Sequence, residues 1–401
     1  MDDRRDIRPA PAAIPAPLTG LRALLIALGG LLALSACAPT VTIAGFADLP
    51  PGVELEDILV VTSRKPVDNG ALFGRERGSG LVYGSFGVSV PPDREPGRIS
   101  WPRGTPDPMR HFTFASADTC ADEAEFVNRL NRRLSQLDED ERIIVIFVHG
   151  YNETFGSALF RFAQMMHDFR IPGVPVHFSW ASAGDPRYYA YDLDSVFIAR
   201  DGFSDLLELA AGAQADRIMI IAHSMGSMLT METLRELAVS EEDHVLSMIG
   251  PVALMSPDVS IDVFRSQLGS LRDSGIDFVV FTSARDRALR ASALLRGQTD
   301  RLGSLRSIEE VSDLRLTVID VSGFATSDPL RHSTLAMSPA LIALFGGTRD
   351  FGLVETPGTD GIRGPLSFTI NFVRQATEIV LTPAAAAADA IEGGPGRRAR
   401  Q

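Results

Sequence analysis

Short runs of consecutive apolar, often β-branched residues recur along the middle of the chain. They are Ile58 to Val61, Ile143 to Val148, Val174 to Phe178, Ile218 to Ile221, Ile249 to Met255, Phe278 to Phe281 and Leu316 to Ile319. Their apolar character is continuous rather than alternating, which marks strands covered on both faces, as in a parallel sheet. Between the runs the spacing becomes helical. Phe126, Leu130 and Leu134 fall on one face of a helix over 122–137, and Phe197, Phe203, Leu206 and Leu207 do the same within 194–212. Met228, Leu229, Met231 and Leu234 mark a third helix within 224–237. Strand and helix alternating in this way predict an α/β fold: a mostly parallel, doubly wound sheet with helices on both faces and right-handed crossovers. No internal repeat interrupts the pattern.

The stretch from 64 to 112 departs from it. It is rich in Gly and Pro, holds Phe73, Tyr83, Phe86 and Trp101, and reads as an antiparallel edge hairpin with loops. At the far end, 346–382 carries Gly and Pro around one apolar run, Leu366 to Val373, and reads as a segment docked on the main body, in strand or helix form. From 383 to 401 an alanine run and Gly-Gly-Pro-Gly-Arg-Arg give no periodicity, so a disordered tail is expected.

The N-terminal 36 residues read as an export signal. Arg4, Arg5, Arg8 and Arg22 precede twelve largely apolar residues, Ala23 to Leu34. That is too short for a bilayer span, which takes about 20, but suits a signal-peptide core. The following Leu34-Ser35-Ala36-Cys37 resembles the lipobox of bacterial lipoproteins, although Asp2, Asp3 and Asp6 make the leading region partly acidic. The resemblance implies lipidation of Cys37, a linker over 37–54, and a lipid-anchored protein of the bacterial cell envelope. Ala38 rather than Asp after the cysteine points, by analogy with lipoprotein sorting, to the outer membrane facing the periplasm. Cys120 is then the one cysteine left unmodified and reads as a small buried apolar residue.

Composition narrows the function. The 401 residues carry a net charge of −13, which disfavours non-specific binding to nucleic acid. Two cysteines cannot build a disulfide scaffold or a four-cysteine zinc site, and no metal or organic cofactor is implied.

The chemistry enters at Ala222-His223-Ser224-Met225-Gly226, directly after the run Ile218 to Ile221 and directly before a helical pattern. Strand, tight turn and helix around a small-x-Ser-x-small motif describe a nucleophile elbow, in which small residues two before and two after the serine let strand and helix approach. The competing reading of Ser224 is a helix N-cap. In an elbow fold the acid and then the histidine follow the serine in the chain. Only His244 and His332 follow it. His244 precedes any strand-end acid and is excluded by order. His332, in the polar loop after Leu316 to Val321, is the expected base. Asp286, after Phe278 to Phe281, is the favoured acid. Asp258, after the run ending at Met255, is the alternative acid; otherwise it caps the helix starting near Ile261 or supports the histidine from the side. The oxyanion hole takes the backbone amide of Met225 and one from the loop His149-Gly150-Tyr151-Asn152, with Tyr151 first and Asn152 second. His149 is expected to be buried and structural. The tyrosines at 188, 189 and 191 are expected to pack along an edge, with substrate contact as the sharper alternative.

These motifs, with Phe178-Ser179-Trp180-Ala181-Ser182-Ala183-Gly184 and Ser283-Ala284-Arg285-Asp286, resemble a bacterial, largely uncharacterised family of esterase/lipase-like α/β-hydrolases over roughly 55–340. Thr62-Ser63-Arg64 resembles the family's first-strand Thr-Asn-Arg. Where the family places Gly before the histidine, this chain has Arg331. The resemblance implies an α/β-hydrolase fold over 55–345 and a serine nucleophile, and names no substrate. The expected function is that of a membrane-anchored serine hydrolase of carboxylic esters, taking a small-molecule or lipid ester through an acyl-enzyme. The alternatives are a non-catalytic envelope lipoprotein that uses the fold for binding or scaffolding, and a cytoplasmic enzyme whose leader is misread.

Overall fold

The computed structural model describes residues 49–67, 72–102, 104–297, 300–346, 366–373 and 376–383. The expected signal peptide, most of the linker with Cys37, and the tail beyond 383 lie outside the described residues.

Among the described residues, eleven strands form one sheet. In chain order they are β1 (Glu54–Pro66), β2 (Phe73–Val90), β3 (Thr113–Thr119), β4 (Ile143–Val148), β5 (Val174–Ser179), β6 (Arg217–His223), β7 (Ile249–Met255), β8 (Phe278–Thr282), β9 (Leu316–Asp320), β10 (Leu366–Val373) and β11 (Ala376–Pro383). Across the sheet they run β10-β11-β9-β8-β7-β6-β4-β5-β1-β2-β3. All pairings from β1 through β5, β4, β6, β7, β8 and β9 to β11 are parallel. The antiparallel pairings lie at the two edges, β1–β2–β3 at one and β10–β11 at the other. This is the α/β-hydrolase fold, a mostly parallel doubly wound sheet. The Gly/Pro-rich stretch supplies the expected edge hairpin, and Leu366 to Val373 takes the strand form.

The continuous apolar runs have a direct cause. In β4, Ile144, Ile146 and Val148 point into one core layer while Ile143, Val145 and Phe147 point into the other. Helices α1 (Glu123–Leu134), α3 (Tyr189–Ala211) and α4 (Met225–Val239) cover the first layer. Helix α2 (Phe155–Phe169) covers the second. Phe126, Leu130 and Leu134 of α1 are all fully buried, each stabilising the fold by about 1.5–3 kcal/mol. Asp122 starts α1 by accepting the Glu125 N–H at 2.9 Å. Among the described residues no helix is long and apolar enough to cross a membrane.

Two further helices matter for the site: α5 (Asp243–Met248) leads into β7, and α6 (Ile261–Ser270) follows it. Ser260, not Asp258, caps α6, accepting the Val263 N–H at 3.3 Å. The capping role considered for Asp258 is thereby overturned, because a nearer hydroxyl fills the position. Helix α7 (Arg287–Leu295) follows β8, and the short helices α8 (Thr334–Met337) and α9 (Pro339–Phe345) follow the loop after β9.

Candidate active site

Ser224 stands between β6 and α4 with φ 53° and ψ −120°, a backbone region costly for any side chain. Its neighbours impose that conformation. The Ser224 N–H donates to Met255 O at 2.9 Å, and its carbonyl accepts from the Ser227 N–H at 3.0 Å and the Asp258 N–H at 3.2 Å. The side chain makes no N-cap hydrogen bond to α4, so the N-cap reading of this serine does not hold. A Cβ on Gly226 would lie 2.3 Å from His149 O and 2.5 Å from Val148 O. Both obstacles are backbone, so Gly226→Ala is expected to cost about 1–3 kcal/mol of stability, read as a lower melting temperature. Gly150 is equally constrained, its missing Cβ falling 2.9 Å from the Ser224 Cβ and 3.0 Å from His223 Nδ1. The loop carrying it is thereby pressed against the serine.

His332 lies in the loop after β9, and its Nδ1 is 2.7 Å from Asp286 Oδ2. Asp286 is fully buried and also caps α7, its Oδ1 accepting the Leu289 N–H at 2.9 Å. Burial works against the charged imidazole, but the Asp286 carboxylate, aided by Asp258 and Asp328, outweighs it and holds the His332 pKa above the usual 6.5. Asp328 also builds the loop. Its carboxylate accepts the N–H groups of Leu330 at 2.9 Å, His332 at 2.7 Å and Ser333 at 2.8 Å. The sequence offered a signal for this residue in Asp328-Pro329, a turn-forming pair.

The imidazole of His332 packs on the ring of His223, centroids 4.7 Å apart, beside the serine in sequence. Among the described residues the structure draws no hydrogen bond between Ser224 Oγ and His332. Bonds of this kind often close only around substrate.

Asp258, the alternative acid, is engaged elsewhere. It accepts from Ser292 Oγ at 2.7 and 2.8 Å and from Tyr189 Oη at 3.0 Å, and pairs with the fully buried Arg301 at 3.3 Å. It acts on His332 only through its charge, which fits the supporting role rather than the role of the acid. Tyr189 thus packs inward, while Tyr188 and Tyr191 stack under the guanidinium groups of Arg75 and Arg77, at 4.7 and 4.2 Å. The packing expectation for the three tyrosines accounts for these contacts.

Among the described residues, two of the three amides expected in the oxyanion hole have no partner. The Met225 N–H opens α4 and, as the first helical amide, has no partner within the helix. The Tyr151 N–H makes no hydrogen bond among the described residues. The Asn152 N–H is instead taken by Asp192 Oδ2 at 3.1 Å, which removes it as a donor. Asn152 sits at φ 62°, and that turn aims its amide at Asp192. Tyr151 is anchored by its own hydroxyl, which donates to Pro186 O at 2.5 Å.

Beneath this loop lies a scaffold that sequence reasoning reached only through resemblance. Arg64, 1% exposed, donates to Glu153 O at 2.9 Å, Ser182 O at 2.8 Å and Gly74 O at 3.1 Å, and its Nε donates to Ser179 Oγ at 3.0 Å. Burial lowers its pKa to about 10, the nearby Asp192 and Glu153 working the other way. It remains a cation. Asp192 completes the frame with Ser182 Oγ at 2.6 Å and the Ala183 N–H at 2.7 Å. His149 is fully structural in its contacts: it stacks on Trp180 at 4.8 Å, and burial beside Arg64 holds its pKa well below 6.5. Gly150, His223, Arg161 and Ser333 line a cavity of about 50 Å³, room for water rather than for an acyl chain.

The model of an α/β-hydrolase family of unknown function, DUF900, matches residues 122–349, taking in Ser224, Asp286 and His332. The chain belongs to this DUF900 family. No curated protein matches it. Among solved structures, phospholipase PlaB from Legionella pneumophila, in complex with thio-NAD, is 18% identical over 37% of this chain and 39% of its own, with a TM-score of 0.23. Esterase B from Lactobacillus rhamnosis, inhibited by a tributyrin phosphonate, is 10% identical over 76% of this chain and 84% of its own, with a TM-score of 0.31. Carboxyl esterase 2 from the mycorrhizal fungus Tuber melanosporum is 10% identical over 82% of this chain and 85% of its own, with a TM-score of 0.28. Within this DUF900 chain, the Arg331 that stands where a Gly was expected has φ 57°. The left-handed conformation that favours glycine is therefore kept by a residue with a side chain.

Proposed function

We propose that this protein is a serine hydrolase of carboxylic esters. Ser224 Oγ attacks the carbonyl while His332 takes its proton through Nε2, with Nδ1–H held on Asp286. The carbonyl oxygen, now negative, is met by the N–H groups of Tyr151 and Met225. His332 returns the proton to the leaving alcohol, leaving an acyl-Ser224 and freeing the alcohol. Water, deprotonated by the same imidazole, then releases the carboxylic acid and restores the serine. The observation that carries the reading is the backbone-strained Ser224 at the strand–helix turn, with a hydrogen-bonded His332–Asp286 pair beside it.

The test is hydrolysis of a water-soluble p-nitrophenyl ester, followed from the first turnover. A burst of about one nitrophenol per protein is expected wherever deacylation is the slower step. The pH profile has a defined sign. His332 must be neutral to accept the proton, so kcat/KM is lost as pH falls through its pKa, and that pKa is raised. The acid limb is therefore expected above pH 6.5. A profile flat from pH 5 to 8 would count against His332 as the base.

The same proposal places the protein in the bacterial envelope, anchored by lipid on Cys37 and facing the periplasm from the outer membrane. The support is the Leu34-Ser35-Ala36-Cys37 motif after an apolar core, followed by Ala38. Labelled palmitate should enter the wild-type protein and not Cys37→Ala; equal labelling of both contradicts the anchor.

A further inference from the structure

Among the described residues, helix α7 carries the two most exposed large apolar side chains. Leu294 is 80% exposed and Leu295 65%, whereas Leu289, Ser292 and Ala293 form the buried side. On the outer side, Arg287, Arg290 and Ala291 precede the two leucines at helical spacing, and Arg285 is exposed just before the helix. The Arg287 N–H donates to Leu330 O at 2.9 Å, which brings a third exposed leucine, 38% exposed, to the helix start. Leucines and arginines thus share one surface. It adjoins the candidate site at two points: Asp286 is the cap of α7, and Leu330 lies two residues before His332.

Three features separate this surface from ordinary exposed helix. Among the described residues, Arg285, Arg287 and Arg290 pair with no carboxylate; Arg287 and Arg290 reach only backbone carbonyls. Their place is also wrong for helix stability, since positive charge is disfavoured at a helix N-terminus. Finally, they belong to a chain of net charge −13, so a local cationic patch is set against an acidic remainder. Cationic side chains that ring exposed leucines match a surface that is anionic outside and apolar a few ångströms within. The acidic remainder would be repelled by the same surface, which fixes the orientation.

We propose that the outer face of α7, with Leu330, docks on an anionic phospholipid surface and turns the mouth of the active site toward it. The inference rests on the ester-hydrolase reading for its consequence: the substrate class becomes an acyl ester held in, or entering from, a lipid layer. The docking itself is independent of Cys37.

The test uses the full chain with Cys37→Ala, so that no acyl chain contributes, and unilamellar vesicles of phosphatidylglycerol or of phosphatidylcholine. Expected is binding to phosphatidylglycerol at least about tenfold tighter than to phosphatidylcholine, weakening with added salt. Leu294→Ser/Leu295→Ser and Arg287→Gln/Arg290→Gln should each reduce binding by at least about fivefold. Turnover of a water-soluble ester by the leucine double variant should stay within about twofold of the parent, with an unchanged melting temperature, because the exposed Leu294 and Leu295 side chains touch none of the reacting groups. All these chains share one N-terminal segment, so the differences between them report on α7 alone. Equal binding to both lipids, absence of vesicle binding by the parent, or double variants that bind like the parent overturn the docking proposal. A parent that binds as expected yet hydrolyses no soluble ester overturns the hydrolase reading and leaves the docking in place.

Discussion

Ser224→Ala is expected to lower kcat for a short-chain ester by about 10⁴–10⁶-fold while shifting the melting temperature by only a few degrees. Ser224 makes no side-chain hydrogen bond that holds α4, so loss of its Oγ removes no cap. The backbone bonds to Met255, Ser227 and Asp258 that fix φ 53° are indifferent to the hydroxyl. The N-cap alternative predicts the opposite pairing, a stability loss of about 1 kcal/mol with little change in rate. Measuring rate and melting on one variant therefore separates the two. The scaffolding alternative predicts a cellular role that survives both Ser224→Ala and His332→Ala.

The second large effect is expected at Asp286. Its two oxygens have different tasks, Oδ1 on the α7 amide and Oδ2 on the His332 imidazole. Asparagine is as good an N-cap as aspartate, so Asp286→Asn can keep the helix while losing the negative charge beside the histidine. The imidazole is then free to take the wrong tautomer and has no partner for its charged form. A fall in kcat of roughly 10⁴-fold is expected, with stability changed by less than about 1 kcal/mol. The acid limb of the pH profile should also move down, because burial alone lowers the His332 pKa. Asp258→Asn should behave in reverse. Arg301, 0% exposed, would lose its counter-charge, at a cost on the order of 3–5 kcal/mol, with a smaller loss of rate. If Asp258→Asn proves the more damaging to kcat while Asp286→Asn is mild, the acid has been assigned to the wrong carboxylate.

The parallel core was readable because its physics is one-dimensional. A strand buried on both faces must be apolar at every position, and β4 and β7 coincide with the runs Ile143 to Val148 and Ile249 to Met255. The contact between Asp286 and His332 was readable for a related reason: the expected order of serine, acid and histidine leaves little choice among the histidines after Ser224. Helix α2 was not readable. Phe155, Leu159, Phe160, Phe162, Ala163, Met165, Met166 and Phe169 are all buried, and the one polar stripe between them, Ser157, Arg161, Gln164 and Asp168, is narrow and itself buried or half-buried. The long strand β2 was hidden by its five glycines, of which Gly84 and Gly87 make room for neighbours across the pair. The Asp192 clasp on Asn152 joins residues 40 positions apart, and no local pattern announces a partnership at that range. That clasp is what decided between two neighbouring amides the sequence could not rank beyond preference.

The central claim is that one serine, made nucleophilic by His332 and Asp286, carries the chemistry. It is tested most directly by reaction with a fluorophosphonate, followed by intact mass and peptide mapping. The expected result is a single adduct per chain, located on Ser224, formed at a rate that falls by at least about 10³-fold in His332→Ala. An adduct on a different residue, no adduct at all, or labelling of Ser224 that is indifferent to the loss of His332 would contradict it.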